Sequence, residues 1–153
     1  MRAMKRTMVA LTLIFGMVAS FTLCEIKNVY ADGIADEAIY YELGEICRGK
    51  TLEWMTAMTS RYYEMPLDKK AKILMKVNCE GSDGGSWPAI KMRVYDEKGK
   101  LAVEESAFDY KYNKVKGRYN AKTERVLKKG TYYIEIFQRM ENKHYNFTFS
   151  KTK

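Results

Sequence analysis

Residues 70–79 read Lys-Ala-Lys-Ile-Leu-Met-Lys-Val-Asn-Cys, and this stretch decides the fold class of the chain. Apolar side chains occupy every odd position from 71 to 79, and polar side chains occupy the even positions except for Leu74. Successive side chains of a β-strand point to opposite faces, whereas a helix would scatter the lysines around its circumference. The pattern therefore predicts a strand with one buried face and one solvent-exposed face.

The same alternation recurs between turns that are rich in glycine, and Gly99 stands where the hairpin loop at 96–99 needs a left-handed backbone. Residues 35–46 could instead form a helical turn that leads into an edge strand. A single sheet cannot cover its own apolar face, so we expect an all-β, two-sheet antiparallel β-sandwich with a jelly-roll-like arrangement. The other alternating segments are 61–67, 90–95, 132–137 and 145–149.

The alternation also predicts which side chains are buried, and a one-residue error in register would exchange the two sets. The predicted core consists of Ile73, Met75, Val77, Ile90, Met92, Val94, Tyr132, Ile134, Ile136, Phe147 and Phe149. The side chains predicted to be exposed are Lys72, Lys76, Lys91, Arg93 and Glu135.

Residues 1–31 have the order of a signal peptide. A start with three basic residues is followed by an uncharged run at 8–23 and by Val29-Tyr30-Ala31, which offers a cleavage site. The uncharged run is shorter than the ~18–20 residues that cross a bilayer as a helix. The alternatives are an uncleaved membrane anchor and a lipoprotein modified at Cys24, although Leu23 stands where such sites need a small residue. We expect cleavage and a secreted or cell-surface-associated product.

Residues 32–153 are long enough for one domain and too few for two. The chain carries a net charge of +8 at neutral pH, and part of that charge lies in the predicted signal peptide. A modest positive balance keeps a small protein soluble and favours anionic surfaces. No Lys/Arg block is dense enough to predict nucleic-acid binding, and no membrane span is expected after cleavage.

Two cysteines remain after cleavage, Cys47 and Cys79. Exported chains can keep disulfides, and a bridge between these two would close a loop of roughly 30 residues, worth about 3–4 kcal/mol on the chain-entropy model. The alternative is two separate thiols, one of them buried in a strand. Neither cysteine has neighbours at metal-site spacing and the chain has one histidine, so a zinc site is not expected. No metal site and no cofactor are predicted. The alternative is a calcium site at Asp83 or at the acidic group of Asp32, Asp36 and Glu37.

Three stretches carry a family resemblance. Residues 61–67 read Arg-Tyr-Tyr-Glu-Met-Pro-Leu, residues 90–99 read Ile-Lys-Met-Arg-Val-Tyr-Asp-Glu-Lys-Gly, and residues 127–136 read Leu-Lys-Lys-Gly-Thr-Tyr-Tyr-Ile-Glu-Ile. They resemble the Tyr-Tyr strand, the central hairpin and the Gly-Thr-Tyr-Tyr ending of bacterial pre-peptidase C-terminal domains. The resemblance spans most of residues 36–150. The resemblance implies a β-sandwich fold and an exported protein with an accessory role, here expected as a standalone domain.

Aromatic side chains on the faces opposite to the core are the candidate binding residues. Tyr62, Tyr95, Tyr133 and Phe137 fall there, beside Lys and Arg residues. A flat aromatic ring can stack on a ligand and a tyrosine hydroxyl can form hydrogen bonds with it, as on surfaces that bind sugars or peptides. Tyr133 and Phe137 lie four residues apart on one predicted strand, so they should point the same way about 13 Å apart. The alternative is that such rings lie singly on a sandwich with no ligand.

No constellation of catalytic residues is recognisable, because His144 has no nucleophile motif to accompany it and is expected in an exposed loop. We therefore expect a secreted, non-catalytic module that binds carbohydrate or protein at or outside the cell surface. The alternative is an envelope-associated structural protein that adheres electrostatically to anionic cell-wall polymers. The lysines that would carry such adhesion are Lys69, Lys70, Lys72 and Lys76.

Overall fold

The computed structural model describes residues 38–51, 60–82, 85–140 and 142–153, which form two packed β-sheets. The predicted signal peptide, residues 1–31, lies outside the described residues. The strands are β1 (Ile39–Tyr40), β2 (Cys47–Lys50), β3 (Ser60–Leu67), β4 (Ala71–Glu80), β5 (Ile90–Asp96), β6 (Leu101–Val103), β7 (Lys111–Asn113), β8 (Arg118–Leu127), β9 (Gly130–Gln138) and β10 (His144–Lys151).

The first sheet has the strand order β1-β3-β9-β5-β6, and the second sheet has the order β2-β10-β4-β8-β7. Neighbouring strands are antiparallel except for β1, which runs parallel to β3. This arrangement confirms the all-β, two-sheet sandwich expected from the alternation. Within the four described ranges there is no helix long and apolar enough to cross a membrane.

The core lies between the two sheets, where alternate side chains of every long strand meet. All the side chains predicted to form the core are buried, from Ile73 on β4 to Phe149 on β10. Lys72 and Lys76 lie on the opposite side of β4 and are exposed as predicted. The period of two therefore predicts correctly which side chains of both sheets face the core.

Aromatic rings fill one part of this core. Tyr41 packs against Phe147 and Phe149, with ring centroids 5.1 and 6.1 Å away, and Tyr63 packs edge-on against Phe147 at 5.0 Å. The Tyr41 hydroxyl accepts a hydrogen bond from the Phe149 N–H (2.7 Å) and donates to the Glu45 carbonyl (2.9 Å). Residues 38–46 therefore contain a short edge strand and a turn, and no helical turn, because burial of Tyr41 holds this segment extended across the core.

Two positions require glycine, one because of its backbone conformation and the other because of close packing. Gly99 has φ of 73° in the loop between β5 and β6, which is the left-handed conformation expected there. Gly49 on β2 faces Tyr145 on β10, and a Cβ atom at this position would lie 2.3 Å from the tyrosine ring. A larger residue at position 49 would thus push β2 away from β10.

Cys47 and Cys79 are free thiols in this structure, so the disulfide alternative is not realised. Cys47 lies opposite Phe147 and Cys79 lies opposite Tyr145, on the two strands that flank β10. Two strand spacings of about 4.8 Å separate the cysteines, beyond the Cα separation that a disulfide tolerates. Burial raises the pKa of both thiols, most directly that of the buried Cys79.

Candidate functional site

The four aromatic residues singled out in the sequence lie on one surface, the outer face of the first sheet. Tyr62 comes from β3, Tyr95 comes from β5, and Tyr133 and Phe137 come from the β9 strand between them. Tyr133 lies directly opposite Tyr95, and all four side chains are half-buried. We call this surface the aromatic face and define it by these four residues together with Glu135.

Glu135 lies at the centre of the aromatic face, and the prediction that it is exposed is wrong, since only 5% of the residue is exposed. Ser60 donates a hydrogen bond from Oγ to Oε1 of Glu135, and the Tyr95 hydroxyl donates to Oε2 at 3.0 Å. The Tyr62 hydroxyl lies 3.4 Å from Oε1, and a guanidinium nitrogen of Arg93 lies 3.6 Å from Oε2. Alternation gives the direction of a side chain, whereas its depth depends on neighbours from other strands.

Ion pairs continue from Glu135 towards β5 and the 3-10 turn at Glu105–Ala107. Glu105 lies 3.3 Å from Arg93 and 2.9 Å from Lys91. These contacts hold Lys91 and Arg93 against the sheet, so both are half-buried rather than exposed as predicted. Partial burial acts to raise the pKa of Glu105, but the hydrogen bonds and charges of Lys91 and Arg93 outweigh it and hold that pKa below its ordinary value.

The hydroxyls of Tyr95 and Tyr133 on the aromatic face are uncharged at neutral pH. Partial burial raises the pKa of Tyr95, and the nearby charge of Glu135 raises it further. Burial also raises the pKa of Tyr133, with smaller contributions from acidic neighbours. Both hydroxyls are therefore neutral: that of Tyr95 donates to Glu135 and keeps its oxygen as an acceptor, whereas that of Tyr133 can both donate and accept.

Two arginines pack on aromatic rings along this side of the sandwich. The guanidinium of Arg93 lies 5.6 Å from the centre of the Phe137 ring, and that of Arg139 lies 5.4 Å from the Trp87 ring. Trp87 is 59% exposed, and a backbone hydrogen bond of 2.9 Å joins Ala89 to Arg139 beside it. The sequence reasoning missed Trp87 because the residue lies in a turn outside the alternating segments. Trp87 lies three residues before β5 begins, and an aromatic side chain so near a predicted strand is the signal that could have identified it.

Groups typical of catalysis are not assembled at this surface. His144 begins β10, is exposed, and donates its backbone N–H to the Glu80 carboxylate at 2.9 Å. In the part of the chain that the structure describes, no group of three or more His, Cys, Asp or Glu side chains could hold a metal ion. Glu135 is held by hydroxyl and guanidinium neighbours within the sheet, so its carboxylate already has partners.

The strand order and the core between the sheets define a two-sheet β-sandwich. Among solved structures, the chain is similar to the pre-peptidase C-terminal domain of a collagenase from Bacillus anthracis, with 13% sequence identity and a TM-score of 0.54. The match covers 74% of this chain and 95% of that domain. The chain therefore has the fold of a pre-peptidase C-terminal domain, which confirms the fold implied by the sequence resemblance.

Weaker similarities reach two further structures. A periplasmic inhibitor of g-type lysozyme from Salmonella Typhimurium has 12% identity and a TM-score of 0.39, covering 74% of this chain and 99% of that chain. The C-terminal CBM6 of LamC, a laminarinase from Zobellia galactanivorans, has 5% identity and a TM-score of 0.34, covering 68% of this chain and 99% of that chain. The fold assignment rests on the collagenase domain alone. No protein-family model and no curated protein matches the chain in sequence.

Proposed function

We propose that this chain is a secreted, non-catalytic β-sandwich module that binds carbohydrate or protein at or outside the cell surface. The aromatic face is the proposed binding surface. The observation that carries the proposal is the convergence of Tyr62, Tyr95, Tyr133 and Phe137, from three adjacent strands, on one outer face. Tyrosine and arginine side chains supply much of the binding energy at recognition surfaces, because they combine large contact area with polar groups.

The charges on this face favour recognition through ring area rather than through net charge. Glu135 is surrounded by donors, and Glu105 is paired with Lys91 and Arg93. A ligand would therefore meet ring faces and neutral hydroxyls together with charges that are already compensated. Binding of this kind should persist between ~0.05 and ~0.5 M salt, because screening weakens mainly uncompensated exposed charges.

Export belongs to the same proposal and rests on residues 1–31. When the full chain is produced in a secreting host, mass spectrometry of the medium should find a protein that begins at Asp32. A mature protein that begins at a lipid-modified Cys24 would contradict the soluble, secreted form.

A glycan and matrix-protein array probed with the secreted protein is the test of binding, and Tyr133→Ala is the decisive variant. It should abolish binding to the ligand found on the array and lower the melting temperature by no more than a few degrees. Tyr133→Phe keeps the ring and should retain binding, which separates stacking from hydroxyl bonding.

The matched control is Val126→Ala, which truncates an exposed apolar side chain on the second sheet and should leave array binding unchanged. Unfolding of the Tyr133→Ala variant would contradict the proposal, because Tyr133 would then be a core residue. Full binding by a folded Tyr133→Ala protein would contradict it as well.

Electrostatic adhesion to anionic wall polymers through Lys69, Lys70, Lys72 and Lys76 receives less support. Lys72 is paired with Glu124 at 2.6 Å, so part of that charge is compensated. Two of the other lysines lie in the loop between β3 and β4, away from the centre of the second sheet. These four lysines do not form one uncompensated cluster.

A further inference from the structure

A groove of about 490 Å³ crosses the outer face of the second sheet, on the other side of the sandwich from the aromatic face. Its floor is formed mainly by strands β10, β4 and β8. We call it the lysine groove and define it by the side chains of Lys76, Lys111, Lys122, Asn78, Asn120 and Asn146.

Two lysines of this groove face each other without a counter-charge. Lys76 on β4 lies directly opposite Lys122 on β8, and such a pair has Cβ atoms about 4.5–5.5 Å apart. Both residues are exposed, and neither forms an ion pair with any residue that the structure describes. Lys111 differs, because Asp109, which also lines the groove, lies 3.2 Å from its ammonium group. Like charges directly opposite one another repel, so an anion bound between Lys76 and Lys122 would be stabilising.

Three asparagines form a row beside the lysine pair. Asn146, Asn78 and Asn120 are register partners across β10, β4 and β8. Asn78 Nδ2 donates to Asn120 Oδ1 at 2.8 Å, and Asn146 Nδ2 donates to Asn78 Oδ1 at 3.4 Å. Hydrogen bonds between described residues leave Asn120 Nδ2 and Asn146 Oδ1 unused. The row therefore offers a donor at one end and an acceptor at the other.

We propose that the lysine groove binds an acidic glycan, a polysaccharide whose sugar rings carry carboxylate or sulfate groups. Lys76 and Lys122 would share the anionic group, and Asn120 and Asn146 would bond hydroxyls of the same sugar or the next one. Lysine suits this role because its ammonium is a compact charge with three donors on a flexible stem. The outer strands of the floor are about 10 Å apart, so the groove can accept a short stretch of glycan.

The asparagine row distinguishes this ligand from others of the same charge. Sugar hydroxyls both donate and accept hydrogen bonds, which matches the unused donor and acceptor of the row. A polymer whose charge comes from phosphate groups in its backbone would use the lysines alone. The two predicted modes of binding, at the aromatic face and at the lysine groove, are independent of each other.

The test uses the protein secreted when the full chain is expressed, and four fluorescent probes at about 0.15 M salt. The probes are a carboxylated oligogalacturonide, its neutral methyl ester, chondroitin sulfate and a glycerol-phosphate polymer. We expect thermophoresis to detect binding of at least one acidic glycan and none of the neutral ester. Equal binding of the ester, or binding only to a glycerol-phosphate polymer, would overturn the proposal, as would failure of both acidic glycans to bind.

The variant that tests the site is Lys76→Gln combined with Lys122→Gln. Its affinity for the bound glycan should fall about tenfold or more, since two charge-assisted hydrogen bonds are lost. Its melting temperature without glycan should not fall, because the substitution removes a repulsive pair. The matched control is Lys98→Gln combined with Lys100→Gln, which makes the same charge change at exposed positions of the β5–β6 loop.

The control pair should change the affinity by less than about twofold, as expected when distant exposed charges are screened. An equal loss of glycan affinity in the two double variants would mean non-specific attraction to a basic protein and would overturn the proposed site. An acidic glycan that loses affinity in the Tyr133→Ala protein but not in the Lys76→Gln, Lys122→Gln protein would bind at the aromatic face. That result would overturn the lysine groove while supporting the proposed function, so the two failures can be told apart.

Discussion

The two outer faces of the sandwich carry charge in opposite ways. On the aromatic face, the buried Glu135 is surrounded by hydroxyls and Arg93, and Glu105 is paired with two basic side chains. On the lysine groove, Lys76 and Lys122 face each other with no ion-pair partner among the described residues. Both faces are built from the outward positions of alternating strands, so the backbone does not cause the difference.

The difference shows that net charge is a poor guide to where a small basic protein will attract an anion. A compensated charge contributes mostly to stability and to the orientation of its neighbours, whereas an uncompensated one is available to a ligand. We therefore expect core substitutions beneath either face to lower the free energy of unfolding by similar amounts. Substitutions on the two outer faces should change it by different amounts.

The largest effect should come from the core that the two faces share. Ile134→Ala beneath the aromatic face and Met75→Ala beneath the lysine groove should each lower the free energy of unfolding by about 2–5 kcal/mol, through lost burial and the cavity left behind. Both side chains are fully buried. Urea denaturation measures the two losses. A loss of stability confined to one variant would contradict this expectation, because one sheet would then contribute little to the core.

A smaller effect should separate the carboxylates of the two faces. Glu135→Ala should cost about 1–3 kcal/mol, because Ser60, Tyr95 and Arg93 would lose an acceptor in a half-buried setting. Glu124→Ala, which removes the partner of the exposed Lys72, should cost less than about 1 kcal/mol. Chemical denaturation of both variants at neutral pH is the measurement. Equal costs would mean that burial of Glu135 has no energetic consequence.

The smallest effect concerns pH. The folded-state pKa of Glu105 is lowered, so its ionised form stabilises the fold above its unfolded pKa of about 4.3, and this contribution is lost as the pH falls through the lower folded value. The wild type should exceed Glu105→Gln in stability by less than about 1 kcal/mol at neutral pH and match it in strong acid. Glu104→Gln, at the exposed neighbouring position, is the control. A gap that widens in acid would contradict this assignment.

Much of this fold could be predicted from the sequence, because strand alternation is a local property. The inward set that includes Ile73, Ile134 and Phe149 follows from a period of two within single segments. The shared face of Tyr133 and Phe137 follows from the same rule. These residues needed no knowledge of which strands are neighbours.

The features that could not be predicted depend on pairing between distant segments. Glu135 is buried because β3 and β5 bring Ser60 and Tyr95 to it from either side. The Lys76–Lys122 pair exists only because β4 and β8 are neighbours in a particular register. Separate thiols at Cys47 and Cys79 likewise follow from the strand β10 between them. Alternation alone contains no information about any of these contacts.

The position of β9 and β10 has a consequence for folding kinetics. In the first sheet β9 separates β3 from β5, and in the second sheet β10 separates β2 from β4. Neither sheet can therefore form completely until β9 and β10 have paired with the earlier strands. Most native strand pairings join segments that are far apart in sequence. Topologies dominated by such distant pairings fold in about milliseconds to seconds rather than microseconds. A fragment that ends before β9 should remain unfolded, because each sheet then lacks a strand that lies between two others.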